Sequence, residues 1–581
     1  MMSEDSKNNT ILARIENLHQ QRKELLALEP HKALDRILNA DEPTALVHSF
    51  SEQDLYFLIH DIGPDGALPI LSLASDKQRE YILDIETWHR DHIDISAVTR
   101  WFDLLCRADG PRTIRWLIDN KTEFLEYYLR YKVDIRIREH DQDPSEFGEG
   151  FFTFDNTFYI RLIEDTPAEE DEPSEAGREH YQRFLTRFVE NLADFDHITY
   201  QKLLLESIHL IPAESEEEEF RLRSVRMAEK GFLPFDEAVG IYQPLKPKEI
   251  MGGTAKHVSP GDGDTYAPVP LYPSGLLDDD NLFTQAMTLI ETEAASLQLQ
   301  SEFAGLCNRL VAADHQMIRS KEDLAGVVKK ACGYLNIGLQ TMGAEREAGQ
   351  PDPVNLYPAM IQRYSLSDIF RIGFGQALTL KWRARKWLDS AWFAGQGLSL
   401  TFWGEAWLGV LGGLLIKKPL FFDNYTSGSL YRDFQSAQDI RVSTQTLDDI
   451  MAFDNLLSLM DMQVKSLTSY RFLTYKNLLL TLWAGCQIGL TGDPQPLELG
   501  AFTGFFNTLW ESGEGQRRIR PAIKASFLQW LTTTTGLRQD DLSENMAGRL
   551  EQLFAEVEDE YGRVAADDLD PRFIRLFLLE K

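Results

Sequence analysis

Six prolines and five glycines fall between Pro244 and Gly275. Proline withholds a backbone donor and glycine a side chain, so such a stretch sustains neither a long helix nor a central strand. Residues 248–275 are therefore expected to form a Pro/Gly-rich linker, and the chain to fold as two lobes around it. The flanks differ in chemistry. Residues 1–250 carry a net charge of −22 and the remainder −10; all 12 histidines precede residue 316, and 8 of the 11 tryptophans follow residue 380. The expected organisation is an N-terminal helix or tail over 1–30, an acidic helical-repeat lobe over 31–247, the linker, and a Trp-rich all-helical lobe over 276–581.

The first lobe is punctuated like a repeat. Ser51-Glu-Gln-Asp54 precedes the apolar Leu55, Phe57, Leu58 and Ile59, and Ser75-Asp-Lys-Gln78 precedes Tyr81, Ile82 and Leu83 after 24 residues. A serine followed three residues later by an acid or amide is a capping-box signature, with Asp54 a shorter variant. Gly63-Pro64 supplies a stop and then a proline suited to the first turn of the next helix. A third start is expected at Gly110-Pro111, before Ile114, Trp116, Leu117 and Ile118. Such spacing predicts a short α-superhelix.

The pattern changes over 131–165. Val133, Ile135 and Ile137 alternate with charged residues, and FFTFDNTFYIRLIE offers Asp155-Asn156 as a turn between aromatic strands, so a small antiparallel β element is expected there. The acidic stretch 164–179 reads as a loop, and Gly231 as a C-cap. In the second lobe, 281–342 predicts three long amphipathic helices, 455–460 and 478–490 fully buried segments, and SDIFRIGFGQALTLKWRARKWLDSAWF a central long helix starting after Ser365 or Ser367. GRLEQLFAEVEDEYGRV predicts a final amphipathic helix. The fold class is mainly α.

A net charge of −32 excludes a general nucleic-acid binder, because phosphate contacts need clustered cations, and opposes adhesion to anionic lipid. The N-terminus lacks the basic and apolar regions of a secretory signal. Cys106, Cys307, Cys332 and Cys486 are widely spaced, which suits free thiols in a reducing cytoplasm. The longest apolar stretch, Ala391–Ile416, is interrupted by Gln396, Ser399, Thr401 and Glu405, and falls short of the roughly 20 apolar residues of a spanning helix. A cytoplasmic location is expected.

Several strings, DLYFLIHDIG, QREYILDIETW, FRLRSVRMAEKGF with EAVGIYQPL, YLNIGLQ and WGEAWLGVLGGLLIKKPLFF, resemble a bacterial family classed only as a domain of unknown function, from about Leu34 to Leu578. The resemblance implies one shared fold and gives no chemistry. Residues 43–130 are more distantly similar to the intracellular helical repeats of magnesium transporters and flagellar motor switch proteins, which implies a contact surface. No transport activity and no functional residue is carried over.

Motifs that a reaction would demand are missing. There is no P-loop, no H-E-x-x-H and no G-x-S-x-G, and Gly373-Phe-Gly375 has no strand before it. The metal candidate is His89-Arg-Asp-His92 with Asp91 and Asp94, where histidines three apart share a helix face. The competing reading is a pair of solvated histidines ending a helix at Trp88. Asp262 and Asp264 are expected in a solvated linker, and Glu216–Glu219 on a solvated face. Cys332, beside Lys329 and Lys330, is the thiol best placed for activation, against the commoner reading of a buried apolar cysteine. Lys381, Arg383, Arg385, Lys386 and Trp387 form the main basic feature. Leu380 and Trp382 are expected to face a core, leaving the cations on a surface that pairs with the acidic lobe.

The reading that follows is a non-enzymatic scaffold or adaptor without cofactor, whose acidic helical surface engages a basic protein partner and no nucleic acid. A peripheral membrane factor using 382–416 is the alternative, and requires Trp392, Trp403 and Trp407 to be exposed as one patch. A metal-dependent enzyme at His89, Asp91, His92 and Asp94 is third.

Overall fold

The computed structural model describes residues 14, 17–163, 175–251, 270–277, 281–316, 318, 320–345, 353–464, 467, 472–490, 492–511 and 516–580. The chain is mainly α and forms two compact units. The first gathers residues 1–243, 254–332 and 351–367; the second gathers 244–253, 333–350 and 368–581. Residues 276–332, grouped by composition with the later lobe, cluster with the first unit because their side chains meet its helices, as Asn308 does Gln53.

The first unit opens with α1 (residues 17–26), α2 (Pro30–Leu38), α3 (Pro43–Ser49), α4 (Glu52–Ile62), α5 (Leu68–Leu73), α6 (Asp76–Glu86), α7 (Ile95–Asn120) and α8 (Thr122–Lys132). Helices two apart in sequence stack, α2 on α4, α3 on α5, α4 on α6 and α5 on α7, as in a helical repeat. The start signals act as expected. Ser51 accepts the Asp54 N–H, and Ser75 makes a complete capping box with Gln78. The Gln78 amide also donates to Val47 and Phe50 carbonyls at 2.8 and 3.0 Å, so the same side chain ties α3 to α6. Gly63 ends α4 at φ 91°, but the next helix begins at Leu68 rather than at Pro64. The third start is a break inside α7, where Asp109 leaves helical geometry and accepts the Arg112 N–H.

Between α6 and α7 the chain makes a hairpin, β1 (Trp88–His89) with β2 (His92–Ile93), turning at Arg90 with φ 60°. The expected β element is β3 (Val133–Ile137) paired antiparallel with β4 (Phe158–Leu162); Phe152 bridges Ile160 from the other side, and Asn156 turns at φ 58°. Residues 164–174 lie outside the described residues, and 175–179, expected as loop, begin α9 (Glu175–Phe195). Then come α10 (His197–His209), α11 (Pro212–Glu229), α12 (Phe235–Ala238), α13 (Pro247–Met251), α14 (Tyr272–Gly275), α15 (Leu282–Thr288), α16 (Glu293–Asp314), α17 (Lys321–Ala344) and α18 (Pro353–Arg363). Gly231 closes α11 at φ 85°, with the Phe232 N–H reaching back to Met227. Of the three helices expected over 281–342, α15 is only two turns long. Residues 252–269 of the linker, with Asp262 and Asp264, lie outside the described residues, whereas Leu271 and Tyr272 are buried.

The second unit takes α13 and the part of α17 from Gly333 onward, with most of α19 (Leu366–Leu388), then α20 (Trp392–Gly395), α21 (Gly404–Leu415), the hairpin β5 (Phe421–Phe422) with β6 (Tyr431–Arg432), α22 (Ala437–Ser458), α23 (Tyr475–Gln487), α24 (Leu499–Leu509), α25 (Pro521–Thr535) and α26 (Gln539–Tyr561). The segments expected to be fully buried are only partly so. Leu456 and Leu457 are covered but Asn455, Ser458 and Leu459 are exposed, and burial of α23 ends at Gly485.

Helices α17 and α19 touch backbone to backbone. A Cβ on Gly373 would stand 1.9 Å from the Tyr334 oxygen, and one on Gly338 2.1 Å from the Ile369 oxygen. Gly373→Ala is expected to destabilise the second unit by about 1–3 kcal/mol or more. Gly326→Ala, in open space on α17, is expected to be neutral or to stabilise by up to ~1 kcal/mol. Urea unfolding followed by circular dichroism compares the two.

Candidate functional site on helix α4

The polar side chains of α4 are met from all over the first unit. Glu52 pairs with Lys230 at 3.0 Å, and Gln53 accompanies Asn308 of α16 at 3.0 Å. Asp61 accepts the Tyr272 hydroxyl at 2.7 Å and faces the Lys321 ammonium at 2.5 Å. Tyr56 donates to Glu86 of α6 at 2.7 Å, and the indole of Trp101 donates to the same carboxylate at 3.1 Å. His60 Nε2 stands 3.2 Å from Glu86, close enough for charge pairing though off the line of a hydrogen bond.

Asp54 is the innermost of these groups, fully buried. Its carboxylate does not return to cap its own helix, as a capping box would require. It accepts the Leu271 N–H on both oxygens, at 2.9 and 2.8 Å, and the Tyr272 N–H at 2.9 Å. These are free donors at the start of α14, so a carboxylate 217 residues away caps that short helix. Burial pushes the Asp54 carboxyl up to about 6; the two amides, Ser51 and the charge of the buried Arg22 counter that only in part. Glu86 moves the other way. Burial raises it, but His60, Tyr56 and Trp101 together outweigh burial and hold it down at about 2.

Over residues 9–580 the sequence matches the model of a family described as a family of unknown function (DUF6178). The chain belongs to that family. No curated protein and no solved structure matches it.

In this DUF6178 chain the residues singled out from sequence are dispersed. His89 and His92 face one another across the β1–β2 hairpin and not along a helix, because α6 ends at Glu86. Both are exposed, and His92 lies 3.3 Å from Glu216 and 3.7 Å from Asp91. Asp94 is spent capping α7 through the Ser96 and Ala97 N–H groups. Among the described residues no three His, Cys, Asp or Glu side chains converge as metal ligands. Glu216 and Glu219 are not simply solvated: Glu216 accepts the Ile93 N–H at 2.7 Å and docks the hairpin, and Glu219 is buried. Cys332 is buried close to the buried Cys307, whose thiol is pushed far up by burial and by Cys332, while Cys486 is exposed.

The basic segment departs most from expectation. Leu380 and Trp387 are buried, but Trp382 is 52% exposed. Arg383 pairs with Asp448 of α22 within the second unit, and the Trp387 indole donates to the buried Asp454 at 3.1 Å. Asp454 also accepts the Trp392 and Phe393 N–H groups at 3.0 and 3.1 Å, capping α20 as Asp54 caps α14. Trp403 and Trp407, which the membrane reading required at the surface, are 1% and 7% exposed, and Trp407 stacks on Tyr475 at 4.5 Å. Among the described residues no single helix is long and apolar enough to cross a membrane. One pair, Leu366–Gly395 with Leu400–Leu415, meets the length and composition requirement only together, across a 91° bend.

What the α4 cluster does chemically is hold structure by charge and hydrogen bonds, with opposite acid responses in two of its carboxylates, Asp54 and Glu86. Asp54 is held above its usual range, so its contribution to stability is full below about pH 3.8 and is lost as pH rises through about 6. On linkage grounds this amounts to on the order of 3 kcal/mol. Glu86 is held below its usual range, so its contribution is full above about 4.5 and is lost as pH falls toward 2. Asp54→Asn is expected to flatten the pH 4–6.5 slope of the urea midpoint, and Glu86→Gln to remove the acid-side loss. Unchanged slopes in both variants would contradict these assignments.

Proposed function

We propose that the chain is a non-enzymatic scaffold or adaptor that engages a basic protein partner through the acidic helical surface of its first unit. The observation that carries this reading is the outer side of α10 and α11. Ile198 is 77% exposed, Ile211 55% and Val225 57%, with Leu205 and Leu222 also uncovered. Exposed Glu206, Glu214, Glu217 and Glu229 lie on the same two helices, against the exposed cations Lys202 and Arg221. On α8, burial and then the charges of Glu206 and Glu123 push the Glu126 carboxyl up to about 7, with Lys202 the opposing cation. A lysine or arginine from a partner relieves that crowding and restores the ionised form. Exposed apolar side chains on helices that also carry exposed acids suit an amphipathic basic helix. The stacked repeat of α2–α7 supplies a rigid support, and the absence of disulfides among the four cysteines favours a reducing, cytoplasmic setting.

The test is recovery of partners from the native host with tagged full-length protein, quantified by mass spectrometry, with binding to any purified candidate then measured directly. A soluble basic protein is expected near 1:1, lost at high salt, its affinity lowered about tenfold or more by the double reversal Glu206→Lys/Glu217→Lys. Recovery of no stoichiometric partner from soluble or membrane fractions would count against the adaptor reading.

A further inference from the structure

The second unit bears a surface of the opposite sign, centred on the exposed Trp382. Trp382, Arg385 and Lys386 stand at i, i+3 and i+4 of α19 and so share one face, while Ala377, Leu380, Ala384 and Trp387 are buried. The Lys381 ammonium donates to the Lys417 carbonyl at 2.8 Å, which brings the turn after α21 against this part of α19. Ile416 in that turn is 43% exposed. Among the described residues no acid, Asp389 one turn away included, lies within ion-pair distance of Arg385, Lys386 or Lys417, whereas Arg383 is matched by Asp448. The crowding is felt locally: partial burial and then the Arg385 charge lower the Lys381 pKa.

We propose that Trp382 and Ile416, with Lys381, Arg385, Lys386 and Lys417, form a docking surface for an acidic segment of a partner protein that carries an apolar side chain among its carboxylates. An exposed tryptophan with an arginine on the same helix face is a pairing enriched at protein-binding hot spots, and the neighbouring lysines add positive charge that favours an acidic partner. The protein's net charge decides among anionic occupants. An extended polyanion, whether a lipid surface or a nucleic acid, meets the acidic surface of the rest of the chain as well. A short acidic segment samples only what lies within a Debye length, about 8 Å at physiological salt. Membrane insertion also needs a continuous apolar face, and here only two apolar side chains are uncovered. This inference concerns a different unit and the opposite charge from the adaptor reading, and stands or falls independently of it.

Fluorescence anisotropy of a short labelled peptide of glutamate and leucine, titrated with the full-length protein, tests it. Binding is expected to weaken with salt, to fall roughly tenfold or more in Trp382→Ala, and to vanish in Arg385→Glu/Lys386→Glu. Any binding of a lysine-for-glutamate version of the peptide is expected to be unchanged in both variants. Both variants alter exposed side chains, and unchanged thermal unfolding shows that they remain folded. Equal affinity of wild type and both variants would overturn the proposal. So would tighter binding of phosphatidylserine vesicles or oligo(dT), lost in the same variants, since the surface would then belong to a membrane or a nucleic acid.

Discussion

Asp54 and Asp454 are buried carboxylates that take up the free N–H groups of four-residue helices, α14 and α20, from distant sequence. A helix of four residues has almost no internal hydrogen bonds, so its first-turn donors must find an acceptor elsewhere or stay in water. An anion at that end satisfies the donors and the helix dipole together. Burying the anion is the cost, visible in the raised protonation of both groups, with burial the largest cause in each. Each unit therefore fixes an irregular segment by the same device, a charged group held short of water by backbone amides.

The packing around these clamps is close. In the first unit Gln78 serves at once as capping residue and as the tie between α3 and α6, so a local signal and a tertiary contact share one side chain. In the second unit, Gly338 and Gly373 let α17 and α19 meet backbone to backbone. Trp387, Phe393, Trp403, Trp407, Phe453 and Tyr475 fill one aromatic cluster with ring centroids between 4.5 and 6.0 Å apart. The apolar stretch 391–416, membrane-like in composition, is thus used largely as core.

The candidate site was only half legible in the sequence. Asp54 stands out as the third residue after a cap serine, and its N–H does bond Ser51. Nothing local says that its carboxylate leaves the cap for Leu271 and Tyr272, because hydrogen bonds across 217 residues leave no periodicity behind. Glu86 reads as an ordinary helix end, yet it gathers Tyr56, His60 and Trp101. The histidines at 89 and 92 drew notice through their spacing, and that spacing is shared by a helix face and a tight hairpin. Arg90 at φ 60° realises the hairpin.

The sequence by itself determined where regular structure begins and ends. Ser75 with Gln78, Gly63, Gly110-Pro111 and Gly231 mark helix boundaries, and the alternation of Val133, Ile135 and Ile137 marks a strand, since capping and dihedral preferences act within a few residues. Only the tertiary structure decided which faces are covered. Trp382 and Trp387 lie on the same helix five residues apart, and one is exposed while the other is buried against Phe393 and Asp454. The physical reason is that a helical period places side chains around an axis, whereas exposure depends on which remote segments arrive to exclude water from each side.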